Sequence, residues 1–124
     1  MDLPAVYVAL TEGFLHIVPI SHPMAHLNGG LIIYLGMQFL MGTRRAALLP
    51  LLAVFFAEGL NECLEAAYYG SWRIDDTLGD IAWTVFWPCM LYVHSRYRRY
   101  RWAMAARRRA REGMPVFGAA PARA

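Results

Sequence analysis

The sequence predicts an all-α, polytopic membrane protein: four transmembrane helices in an antiparallel bundle, with both termini cytoplasmic. Three observations predict it. Hydrophobic residues make up 58% of the 124 positions and charged residues only 17%, more apolar than an ordinary soluble domain. The apolar residues fall into four runs, each near the ~20 residues a helix needs to cross a hydrocarbon core. The twelve basic residues are all arginine and lie mostly in two segments that four crossings bring to one side.

The first run is Leu3 to Ile20, interrupted by Glu12 and His16 and closed by Pro19. Its start lacks the basic segment and small-residue cleavage site of a signal peptide and reads as mature protein. The second, Met24 to Gly42, contains no acidic or basic residue except His26, and Ser21-His22-Pro23 begins it, with Pro23 in a tolerated first-turn place. The third, Ala46 to Tyr69, carries acidic residues in its second half. The fourth, Leu78 to Val93, has Asp80 near its start and Pro88 inside it, where a kink is expected. A soluble bundle keeps a polar outer face on each helix, and Gly30 to Met41 and Ala46 to Ala57 have almost none. The domain reading is therefore a four-helix transmembrane domain over 1–95, a basic juxtamembrane helix over 96–112 and a disordered tail over 113–124.

Arginine sets the orientation. Arg44 and Arg45 separate the second and third runs, and Arg96, Arg98, Arg99 and Arg101 follow the fourth. By the positive-inside rule that side is cytoplasmic. The basic segment is expected to meet anionic lipid headgroups rather than nucleic acid. Cys63 and Cys89 sit in apolar runs with no C-x-x-C pattern, and read as buried thiols.

This orientation carries the polar residues to one layer. Six of the nine acidic residues lie between Glu58 and Asp80. Glu58, Asn61, Glu62 and Glu65 share one helix face, within an arc of about 100°. His22, His26 and Asn28 begin the second helix, and Asp75, Asp76 and Asp80 the fourth, all at the outer end with His16. Charged side chains in lipid need partners or a water-filled cavity. His22 and His26, Glu58 and Glu62, and Asp76 and Asp80 are all spaced i, i+4, which places each pair on one helix face.

Such facing pairs suit a metal cage in a helical bundle. The candidate ligands are His22, His26, Glu58, Glu62 and Asp80, and this mixed donor set suits a divalent metal such as zinc, manganese or iron. Asn28, Asn61, Glu65, Arg73 and Asp76 are candidate ligand-binding residues, with Arg73 suited to a phosphate. The bland alternatives are helix capping by Ser21, Asp75, Asp76 or Thr77, a dipole role for the acids and a local Glu12–His16 pair.

The order of these residues, His22 or His26, then Glu62 or Glu65, then Arg73, Asp76 and Asp80, resembles the VanZ-like group of small polytopic bacterial membrane proteins over Ser21 to Pro88. The chain departs from that pattern in the last helix, with Thr84 and Trp87 or Pro88 where an Asn and a Gly are usual. The resemblance implies a cell-envelope role without supplying a reaction. Two functional expectations follow: an outer-face site for a metal ion or a phosphate-bearing lipid headgroup, or a non-catalytic subunit of a larger membrane complex. Nothing in the sequence decides whether the chain is an enzyme.

Overall fold

The computed structural model describes residues 2–42 and 47–112. Arg44 and Arg45, and the tail expected to be disordered, lie outside the described residues. The described chain is all-helical: α1 Leu3–Ile17, α2 His22–Leu40, α3 Leu48–Tyr69 and α4 Ile74–Arg111.

Proline and glycine mark the helix ends. Pro4 and Pro23 fall in the first turns of α1 and α2, where a missing N–H costs no helical bond. Ser21 occupies the N-cap position of α2, but its hydroxyl makes no capping bond. Gly70 closes α3 at φ +70°, the left-handed geometry that glycine adopts without strain. α4 begins at Ile74, ahead of the fourth apolar run that starts at Leu78. Arg73 takes the N-cap position of α4, and Asp75 and Asp76 lie in its first turn, where carboxylates complement the helix dipole.

α4 spans 38 residues without a break, so the basic segment over 96–111 continues the last helix rather than forming a separate one. At 1.5 Å per residue it is about 57 Å long.

α2 packs most extensively on α4, α3 rests against both, and α1 packs on α3. The α1–α2 connection bends by 106°, short of a full reversal, so the first two helices do not form the expected antiparallel hairpin. Among the described residues no single helix is long and apolar enough to cross a membrane; only the bent pair α1–α2 has the length and composition, taken together.

The apolar core is small: Tyr34, Leu51 and Val54, with Ile33, Val85, Cys89 and Tyr92 packed against them. Cys89 is therefore partly buried, but Cys63 is exposed, contrary to the expectation of two buried thiols. Outside the core the usual arrangement is inverted. Phe39 is 85% exposed and Phe56 75%, whereas Glu58, Glu62 and Asp80 are only 6%, 5% and 8% exposed.

The close approach of α2 to α4 at Gly30 has a definite cause. Pro88 has no N–H, so the carbonyl of Thr84 one turn earlier is left without its helical bond. Gly30 of α2 packs onto that carbonyl. A Cβ on Gly30 would stand 1.9 Å from Thr84 O, so only glycine permits this contact. The contact fixes α2 against α4 one turn from His26.

Candidate metal centre

The site is built at the junction of α2 and α4, with α3 beside it. On α2, His22 and His26 are one turn apart and their rings lie 4.7 Å centroid to centroid. On α4, Asp80 precedes Thr84 by one turn and both are buried. The Gly30–Thr84 contact brings these two faces together.

His26 is the centre. Its Nδ1 lies 3.0 Å from Thr84 Oγ1 and 3.2 Å from Glu58 Oε1. Its Nε2 lies 3.7 Å from Asp80 Oδ1. His22 Nδ1 reaches the same Asp80 oxygen at 3.4 Å. One donor atom from each of His22, His26 and Asp80 can be chosen so that all three lie within 4.8 Å of one another, so these residues could hold a metal ion.

A Glu58 carboxylate beside Nδ1 favours the tautomer with its proton there, which leaves the Nε2 lone pair turned toward Asp80. That is the arrangement in which a second-shell carboxylate orients a metal-binding imidazole. One N–H cannot point well at both Thr84 and Glu58. The hydroxyl is the better placed, and Glu58 Oε1 stays buried without a hydrogen bond.

Glu58 and Glu62 are both buried on the inner face of α3, but neither belongs to the trio. Glu58 touches His26, and Glu62 is tied to its own helix through Asn61. Asn61 Nδ2 donates to Glu62 Oε1 and to Glu65 Oε1, each at 3.4 Å. Its Oδ1 accepts a short hydrogen bond from the Tyr7 hydroxyl of α1. Asn61 thus joins α1 to the acidic face of α3.

Four carboxylates, Glu58, Glu62, Glu65 and Asp80, gather here with two imidazoles. An uncompensated cluster of that sign is costly to bury, and a divalent cation would offset it.

Comparison with known protein families, with curated proteins and with solved structures finds no match. The site must be judged on its geometry.

Several predicted residues lie elsewhere. Asn28 is exposed and donates to Met24 O of its own helix at 2.8 Å. It sits two residues beyond His26, about 200° around the helix, so it faces away. Arg73 and Asp76 pair with each other at the exposed rim, Nε to Oδ2 at 3.3 Å, and the guanidinium stacks over Tyr69. They line a small depression with Glu62 and Glu65, apart from the histidines. Glu12 and His16 are exposed on α1 and form no ion pair with each other.

Three residues at the site escaped sequence reasoning. Thr84 carries a signal in retrospect: it lies i+4 from Asp80 and i−4 from Pro88. Gly30 is recognisable only once the Thr84 carbonyl is known to face it. Tyr7 gives no signal beyond a polar tip in an apolar run.

Proposed function

We propose that this chain is a small integral membrane protein whose His22, His26 and Asp80 bind a divalent metal ion near the outer face of a bacterial inner membrane, in a cell-envelope role. The observation that carries the metal reading is the convergence of three donor atoms from two helices beside the buried Glu58 carboxylate, whose Oε1 lies 3.2 Å from His26 Nδ1. Donors held at about 2.0–2.2 Å from one ion lie at most ~4.4 Å apart. In a tetrahedral site the donors stand ~3.4 Å apart, so loading draws atoms that now lie within 4.8 Å of one another together by up to about 1.4 Å.

Zinc, manganese and iron all accept imidazole with carboxylate. The ion would supply a positive centre for a phosphate-bearing lipid headgroup, with Arg73 on the rim as a second anion contact. Glu58 orients His26, and Thr84 accepts its Nδ1 proton. The VanZ-like resemblance of Ser21 to Pro88 fits this reading and belongs to the proposal.

The membrane reading rests on the inverted surface. Large apolar side chains point outward on all four helices while the carboxylates of Glu58, Glu62 and Asp80 point inward. Average hydropathy along one helix is a poor guide to such a chain, because His22, His26, Glu58, Glu62 and Glu65 lower the average without facing lipid. The exposed arginines at the far end of α4 suit anionic headgroups. The same apolar exterior also favours a second reading, a non-catalytic subunit whose surface is covered by a membrane-protein partner.

Equilibrium dialysis of the detergent-solubilised protein tests the metal reading. The wild type is expected to bind one zinc, manganese or iron(II) ion per chain. His22→Ala and Asp80→Asn are each expected to weaken binding by at least about tenfold. Equal binding by all three proteins would refute the assignment.

A further inference from the structure

A groove of about 500 Å³ opens between α1, α2 and α3, with Thr84 of α4 in its wall. Its size falls within the range of small-molecule sites, about 300–1,000 Å³. The walls are apolar: Leu10, Phe14 and Leu15 from α1, and Ile33 from α2. Thr11 also lines it, but its hydroxyl is spent on its own helix, 3.0 Å from Val8 O. The polar end is Glu58, Asn61 and Glu65. Asp80 does not line the groove, so the groove and the proposed metal trio share the two histidines but not the aspartate.

His22, His26, Tyr7 and Thr84 also line the groove. Glu58 is 6% exposed and its Oε1 has no hydrogen bond. Asn61 has committed its carbonyl to Tyr7 and its amide to Glu62 and Glu65. Apart from the His26 ring 3.2 Å away, Glu58 Oε1 has no polar partner, and this acceptor stands at the foot of an apolar channel. A buried carboxylate oxygen in that position is satisfied by a donor.

The geometry points to a binding site for a single-chain amphiphile, its alkyl chain between α1 and α2 and its hydrogen-bond-donating head, an amine or a hydroxyl, on Glu58. An alkyl carboxylate is excluded by like charge. The site does not need the metal ion, so it stands or falls separately from the reading above.

Gly29 lines the groove, and a Cβ added there meets nothing within 4 Å. Gly29→Phe therefore fills the groove without forcing the helices apart. Gly36 is on the same helix with the same open surroundings but does not line the groove, which makes Gly36→Phe the matched control.

The experiment uses the full chain, stripped of metal by chelation, in phosphatidylcholine nanodiscs. Hexadecylamine, hexadecan-1-ol and palmitate are titrated and bound probe is counted by native mass spectrometry. The amine is expected to bind best, one per chain, then the alcohol, with palmitate at least about tenfold weaker. Gly29→Phe should lose amine binding by about tenfold or more and keep its metal affinity, while Gly36→Phe matches the wild type. Glu58→Gln should collapse the preference for amine over palmitate, which keeps the test decisive if Gly29→Phe fails to fold. Palmitate binding as well as the amine, or amine binding indifferent to both Gly29→Phe and Glu58→Gln, would overturn the proposal.

Discussion

Gly30→Ala is a small change with a large expected effect. The added Cβ would lie 1.9 Å from Thr84 O and 2.8 Å from Thr84 C, both backbone atoms that cannot rotate away. A carbon–oxygen contact needs about 3.3 Å, so α2 must retreat from α4 by about 1.4 Å at this point. Overpacking of this kind costs about 1–3 kcal/mol. The same movement stretches the 3.0 Å contact between His26 Nδ1 and Thr84 Oγ1, and a lost hydrogen bond adds about 1 kcal/mol. Alanine's better helix propensity returns up to about 1 kcal/mol. The net expectation is a loss of about 1–3 kcal/mol, with weaker metal binding because His26 withdraws from Asp80. Unfolding in graded SDS–detergent mixtures, followed by far-ultraviolet circular dichroism, measures it. Gly29→Ala is the control: it has open space and should be neutral or slightly more stable. If Gly30→Ala were as stable as Gly29→Ala, the close approach of α2 to α4 would be wrong.

Other outcomes follow from the same geometry. Glu58→Gln, which removes the charge beside Nδ1 but keeps the shape, should reduce metal affinity about 10–100-fold without abolishing it; an unchanged dialysis isotherm would remove Glu58 from the site. Acidification should release the ion, because imidazole ligates only when neutral. Affinity should fall as pH drops from about 8 to about 5, and a metal content flat across that range would point to carboxylate ligands alone. Single cysteines at Arg73 and Arg107 stand 34 residues apart on α4, about 51 Å along the helix and more than the ~30 Å hydrocarbon core. Impermeant maleimide should label them from opposite faces of a sealed vesicle; labelling of both from one face contradicts the membrane reading.

The helices were legible because prolines, glycines and apolar runs punctuate the chain clearly. Pro23 and Gly70 marked real boundaries, and the end of the first run at Pro19 fell within a few residues of the end of α1. Asp75 and Asp76, read as opening the fourth helix, lie in its first turn, where carboxylates complement the helix dipole. The i, i+4 spacing of His22 and His26 correctly put them together, and the alternation of helices brought Asp80 to them. Asn28 stands two residues from His26 and so about 200° around the helix, away from the trio. Pro19 marks the break between α1 and α2 but not its 106° angle. Tyr7 meets Asn61 across 54 positions, and no local pattern encodes such a contact. Gly30 matters through an oxygen that Pro88 leaves without its helical partner, a coupling visible only when both helices are in place.

The metal claim is tested most directly by X-ray absorption on the protein purified without added metal. The account predicts an ion bound by two imidazoles and at least one carboxylate oxygen, at about 2.0–2.2 Å, with the imidazole scattering halved in His22→Ala. A protein that carries no ion even after loading, or an ion whose spectrum has no imidazole contribution, would contradict it.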